Sequence, residues 1–223
     1  MNKIAIIFFT SKKNILSLLI TISLIISLYI LYLETSSSKN IKTHFFGAGF
    51  LTIPLLSFYL FYFNNLFRNN YFRFLNLNIS KINFFKLIIN QILFLSVLIT
   101  ILILTIYFSI NYIYFKEIIL NNLVFKNILF LFFLNLFLCL LSFFINSNTT
   151  SFWAFFGVIF YFLFEDLFVL FLKKNSILIY DFLPQQNFIN VFKSENLNFF
   201  FIIPLIYFII LSLLIFKKNY KLL

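Results

Sequence analysis

Two adjacent acids, Glu165 and Asp166, interrupt a run at 160–172 that is otherwise Phe, Leu, Val and Tyr. If that run crosses a bilayer, each charge at the helix centre costs roughly 2.5–3.5 kcal/mol on insertion scales, so such acids pair, face a polar path or sit near a boundary. The chemistry open to them is contact with a transported solute or an outer gate; the alternative is packing and helix anchoring. Adjacent residues lie about 100° apart on a helix, so one acid is expected to face the bundle and the other to reach toward the surface. Lys173 and Lys174 are too far along the helix to pair at i+4. The alternatives are a partner among Asn90, Gln91 or Asn135 on neighbouring runs, or protonation of one acid, because burial raises a carboxyl pKa.

Few other residues can do chemistry. His44 has no second histidine and no acid within four residues, so no metal site is expected. Cys139 is the one cysteine and lies between Leu138 and Leu140, which makes it a small core or lipid-facing group and excludes an internal disulfide. No GxxxxGK[ST] is present, and Gly47, Gly49 and Gly157 are the only glycines, so a phosphate-cradling loop is excluded. Any nucleotide energy must come from another chain. An intramembrane acyl- or glycosyl-transferase would need converging His, Asp, Glu or Arg, and the chain offers no such set. No catalytic residue, cofactor or enzymatic activity is expected.

The elements that position these residues follow from composition. Of 223 residues, 63% are hydrophobic and 10% charged, and mean hydropathy is +1.04. A soluble domain carries about 25% charged residues. The net charge of +11 is spread in short groups between apolar runs, the pattern of bilayer-flanking loops rather than of a nucleic-acid interface. The chain therefore reads as an all-α, polytopic integral membrane protein in one domain, with the lipid bilayer as its solvent.

A helix needs about 20 apolar residues to cross. Six runs satisfy this, at about 15–33, 45–63, 87–108, 128–145, 152–172 and 199–216. The first is expected to be a retained anchor, since its apolar part is long and no small-x-small cleavage site follows. Pro54 and Pro204 fall inside runs, where they shape packing or kink the helix. Met1–Lys13, apolar with basic flanks, reads as an interfacial helix or as a downward extension of the first span.

Six crossings put both termini on one side. That side carries Lys3, Lys12, Lys13, Arg68, Arg73, Lys81, Lys86, Lys217, Lys218 and Lys221, ten positives; the other carries seven, Lys39, Lys42, Lys116, Lys126, Lys173, Lys174 and Lys193. The positive-inside bias places both termini in the cytoplasm.

The longest cytoplasmic loop is Asn64–Lys86. Phe67, Tyr71, Phe74 and Leu75 fall at helical spacing within it, flanked by Arg68 and Arg73, and Ser80 is placed to cap a helix starting at Lys81. Such a basic amphipathic segment lodges in a partner's groove or hugs the headgroups. On the outer side, 173–198 holds an apolar stretch broken at Leu183-Pro184, which reads as re-entrant or surface-lying.

Together these features resemble the membrane subunit of ABC-2 type ABC transporters. The resemblance rests on the short interfacial segment before the first span, the basic amphipathic loop between the second and third, and Glu165 followed by an outer apolar segment, Leu183-Pro184 and Asn187–Asn190. It implies a multi-pass permease of the cell inner (cytoplasmic) membrane, an exporter, working as a homodimer or with a second permease. It implies a separate cytoplasmic ABC ATPase docking at Asn64–Lys86, with Arg68, Tyr71, Arg73, Phe74 and Lys81 as coupling contacts. The chain departs from that pattern in its short outer loops, its Phe content and a very short inner loop at 146–151. The competing reading is an accessory subunit of a respiratory or secretion complex.

Overall fold

The computed structural model describes residues 12–35, 48–68, 81–116, 122–148 and 203–217, together with 156, 157, 160, 164, 165, 167–172 and 183. Among the described residues there is no strand. Five helices run in chain order: α1 Lys12–Thr35, α2 Ala48–Arg68, α3 Lys81–Phe115, α4 Asn122–Asn148 and α5 Ile203–Lys217. Residues 164–165 and 167–172 are helical as well. The all-α class is as expected. Of the six expected spans, three helices among the described residues are long and apolar enough to cross a membrane: Lys12–Leu31, Phe85–Phe115 and Val124–Asn146. The apolar part of α5, Leu205–Lys217, is shorter. The proposed interfacial segment before Lys12 lies outside the described residues.

α1, α3 and α4 extend past both ends of their apolar runs. α3 has 35 residues, about 52 Å of helix, where the run at 87–108 implied far less. A run ends at the first polar group, but a helix ends only where its backbone hydrogen bonds stop, and Lys, Asn and Tyr are tolerated in helix once outside hydrocarbon. α3 begins at Lys81, the position after the expected cap. It ends at Lys116, whose φ of 58° is left-handed and whose N–H donates to the Tyr112 carbonyl at 2.9 Å. This single five-to-one bond with a left-handed residue after the last helical one is a standard helix stop, more often filled by glycine. Pro54 lies inside α2, which continues through it. Pro204 lies in α5.

α4 is the hub. It packs on α2, α3 and α5, and α1 packs on α2. Every residue at 134–140 is buried, and α4 has no polar face, as expected of a helix enclosed on all sides. α2 is similarly enclosed, with Leu55, Leu56, Tyr59 and Phe63 fully buried. Aromatic rings lock these contacts: Phe63 meets Phe143 edge-on at 5.4 Å, Phe85 meets Phe216 at 5.1 Å, and Phe137 meets Tyr207 at 5.3 Å. α1 and α5 turn Leu19, Leu24, Ile209 and Leu213 outward, the surface that lipid would cover.

Lys116→Gly is expected to stabilise the protein by about 1 kcal/mol, because a left-handed conformation costs an L-residue roughly that much. A thermal midpoint equal to or below the parent's would count against the stop described here.

Candidate functional site

The site is built from polar side chains that the apolar runs carry into the core. On α3, Gln91, Thr100 and Asn111 are buried, and each belongs to a bond between helices. The Gln91 amide donates to the Tyr62 hydroxyl of α2 at 2.6 Å. The Tyr29 hydroxyl of α1 donates to Asn111 Oδ1 at 2.6 Å. Between them, Asn135 of α4 accepts from the Tyr59 hydroxyl of α2 at 3.1 Å and donates to Thr100 Oγ1 at 2.9 Å. Thr100 passes its own proton to the Ser96 carbonyl at 2.7 Å. One asparagine thus ties α2, α3 and α4 together.

From Gln91 to Asn111 is 20 residues, about 30 Å along α3. That is the thickness of a bilayer's hydrocarbon core. The three stations are therefore spread over about the thickness of one hydrocarbon core, with Thr100 near the middle of the apolar window Phe85–Phe115, and inside hydrocarbon water cannot substitute for a lost bond. Two further bonds close the end where α1 starts and α2 and α4 finish. Asn65 donates to Asn14 at 3.4 Å, and Asn146 donates to the Leu60 carbonyl at 3.1 Å. These are neutral amides and hydroxyls. They fix helix register and orientation and supply no general acid, base or nucleophile.

The charged candidate is Glu165. It is 1% exposed and shares a buried stripe with Val169 and Leu172, at i, i+4 and i+7, while Phe164, Leu167 and Phe168 face out. Glu165 thus faces the bundle; Asp166 lies outside the described residues. Its carboxylate is near enough to Tyr207 of α5 to act on it electrostatically. The partners expected from the sequence are engaged elsewhere: Gln91 with Tyr62, and Asn135 with Tyr59 and Thr100. Asn90 is exposed.

Of the coupling candidates, Arg68 is the last residue of α2 and Lys81 the first of α3. Tyr71, Arg73 and Phe74 lie outside the described residues, as does His44. Cys139 is buried and free. Among the described residues, neither amide atom of Asn127 nor the Ser96 hydroxyl meets a hydrogen-bond partner. The residues that sequence reasoning missed are the tyrosines, Tyr29, Tyr59 and Tyr62. The available signal was a tyrosine in one apolar run facing an amide in another.

Interhelical hydrogen bonds in membranes average about 0.6 and reach about 1.7 kcal/mol. Asn135→Leu, which removes two, is expected to cost about 1–2 kcal/mol in reversible unfolding from mixed micelles, and Tyr59→Phe about 0.6. The double variant should cost less than the sum, since both changes break one shared bond. Strict additivity would separate the two residues energetically. No protein-family model, curated protein or solved structure matches the chain.

Proposed function

We propose that the chain is the membrane-spanning permease subunit of an ATP-driven ABC-type exporter. In this reading it forms six spans of the cytoplasmic membrane with both termini inside, pairs with a copy of itself or a second permease, and takes its energy from a separate cytoplasmic ATPase. The observation that carries the reading is the unbroken α3. It starts at Lys81, next in sequence to the basic amphipathic segment, and runs 35 residues without a break. Its first ten residues extend about 15 Å beyond Gln91, on the side where α1 begins and α2 and α5 end. That end gathers Lys12, Lys13, Arg68, Lys81, Lys86 and Lys217, a cytoplasmic face by the positive-inside rule. A push on residues 69–80 would travel along one rigid rod to the Thr100–Asn135–Tyr59 station at the bundle's centre.

Glu165 fits this scheme as a buried charged group on the bundle side of its helix, poised to sense a rearrangement of the helices around it. A second reading, an accessory subunit whose role is packing, draws on a different observation: the buried amides and hydroxyls of α1–α4 bind one another.

Two experiments separate these readings. Arg73→Glu and Phe74→Ala should each lower co-purification of a nucleotide-hydrolysing partner several-fold while leaving the yield of the chain unchanged. A chain that purifies alone, with either variant behaving as the parent does, favours the packing subunit. Glu165→Gln, nearly isosteric, should lower coupled ATP turnover without loss of expression; unchanged turnover assigns Glu165 to packing.

A further inference from the structure

A cavity of about 590 Å³ lies between α1 and α2. Small residues leave it open: Ser17 and Thr21, one helical turn apart on α1, face Pro54 and Ser57 of α2. Ser17 and Thr21 donate back to the carbonyls of Asn14 and Ser17, at 2.9 and 2.8 Å. Their hydroxyl protons are therefore spent, and they offer the cavity little beyond carbon. With Leu28, Phe58 and Phe61 they make an apolar trough that water has no reason to fill. Leu16, Ile20 and Leu24 line it and are also exposed, so it opens sideways toward the surrounding medium.

Among the described residues that line the cavity, Lys13 is the charged one, exposed at the basic end of the bundle. From Lys13 to Leu28 is about 22 Å along α1, more than one leaflet's share of a bilayer core about 30 Å thick. A charge at the headgroup level above a trough one acyl chain deep is the outline of a lipid.

We propose that the α1–α2 groove is a binding site for an anionic phospholipid from the leaflet at the basic end, one acyl chain in the trough and its phosphate on Lys13. Charge complementarity selects this occupant over a second copy of the chain. A copy inserted in the same orientation would bring further lysines to Lys13, since Glu34 stands near the opposite end of α1 and no acid flanks the basic end. The inference rests on the bilayer setting and is independent of the transport reading.

The test uses the full chain purified in detergent, offered phosphatidylglycerol or phosphatidylcholine with the same acyl chains and read by native mass spectrometry. The parent is expected to retain one phosphatidylglycerol at about fivefold preference, the value of one lysine near an anionic headgroup. Lys13→Gln should remove that preference. Leu24→Trp and Ile20→Trp, both at exposed positions and checked by circular dichroism for unchanged helicity, should each lower retention of both lipids at least tenfold by filling the trough. Absence of retained lipid on the parent overturns the site, as does undiminished retention in a correctly folded tryptophan variant. A dimer that either tryptophan dissolves, with lipid retention unchanged, assigns the groove to a second copy. Full preference in Lys13→Gln overturns the phosphate contact.

Discussion

Hydrocarbon offers no partner to a polar group, and the arrangement of the helices answers to that constraint. A hydroxyl or amide that could bond water at a soluble surface must here find a second protein group or leave the slab. Tyr29, Tyr59, Tyr62, Gln91, Thr100, Asn111 and Asn135 find one another across four helices. Each bond is modest, yet each is directional and binds residues from different helices. Sliding α3 by one turn would break all of its bonds at once. Apolar contact alone would not resist such a slip, because one leucine surface resembles the next and lipid tails compete for it.

Within that frame, shape completes the selection. Rings of α2 and α4 meet edge-on, α4 meets α5 through a tilted pair, and α3 meets α5 through Phe85 and Phe216 and α1 through Tyr107 and Tyr29. The aromatic bias of the chain thus fills volume at the centre, while Leu and Ile cover α1 and α5. Register held by hydrogen bonds and shape held by rings give α3 a stiff mounting. Stiffness is what a helix needs if it is to carry a displacement from one membrane face to the other rather than absorb it. A packing subunit would use the same stiffness to hold a partner in place.

The existence and type of the helices were legible because twenty apolar residues in a row have one solution in lipid. Their ends were not. The run at 87–108 stops where polar residues begin, but the backbone of α3 continues from Lys81 to Phe115 and stops only at the left-handed Lys116. That one acid of the pair faces the bundle could be read from helical spacing, but not which one, since the residues on every face of that run are apolar; the buried stripe of Glu165, Val169 and Leu172 shows the direction of Glu165. Its neighbour could not be read either, because Tyr207 lies 42 positions away and counts as an apolar ring in any hydropathy pattern. For the same reason Gln91 and Asn135 were recognised as polar groups in the membrane while their tyrosine partners were not: the hydroxyls that hold them are invisible to a scale that scores the ring. The α1–α2 groove was illegible as well, since it depends on where small residues of two helices meet.

The bond between Tyr29 and Asn111 spans 82 positions of chain. At roughly 5–20 residues per second of synthesis, the first helix waits about 4–16 s for the amide that its phenol will meet. Once α2 has been made, α1 has it alongside and no answer yet for one hydroxyl near the end of its apolar stretch. Biogenesis thus passes through an obligatory two-helix stage whose loose end is mended only when the third crossing arrives. A ribosome that stalled inside that window would strand a half-built hairpin, the species that membrane quality control should find easiest to tell from the finished bundle.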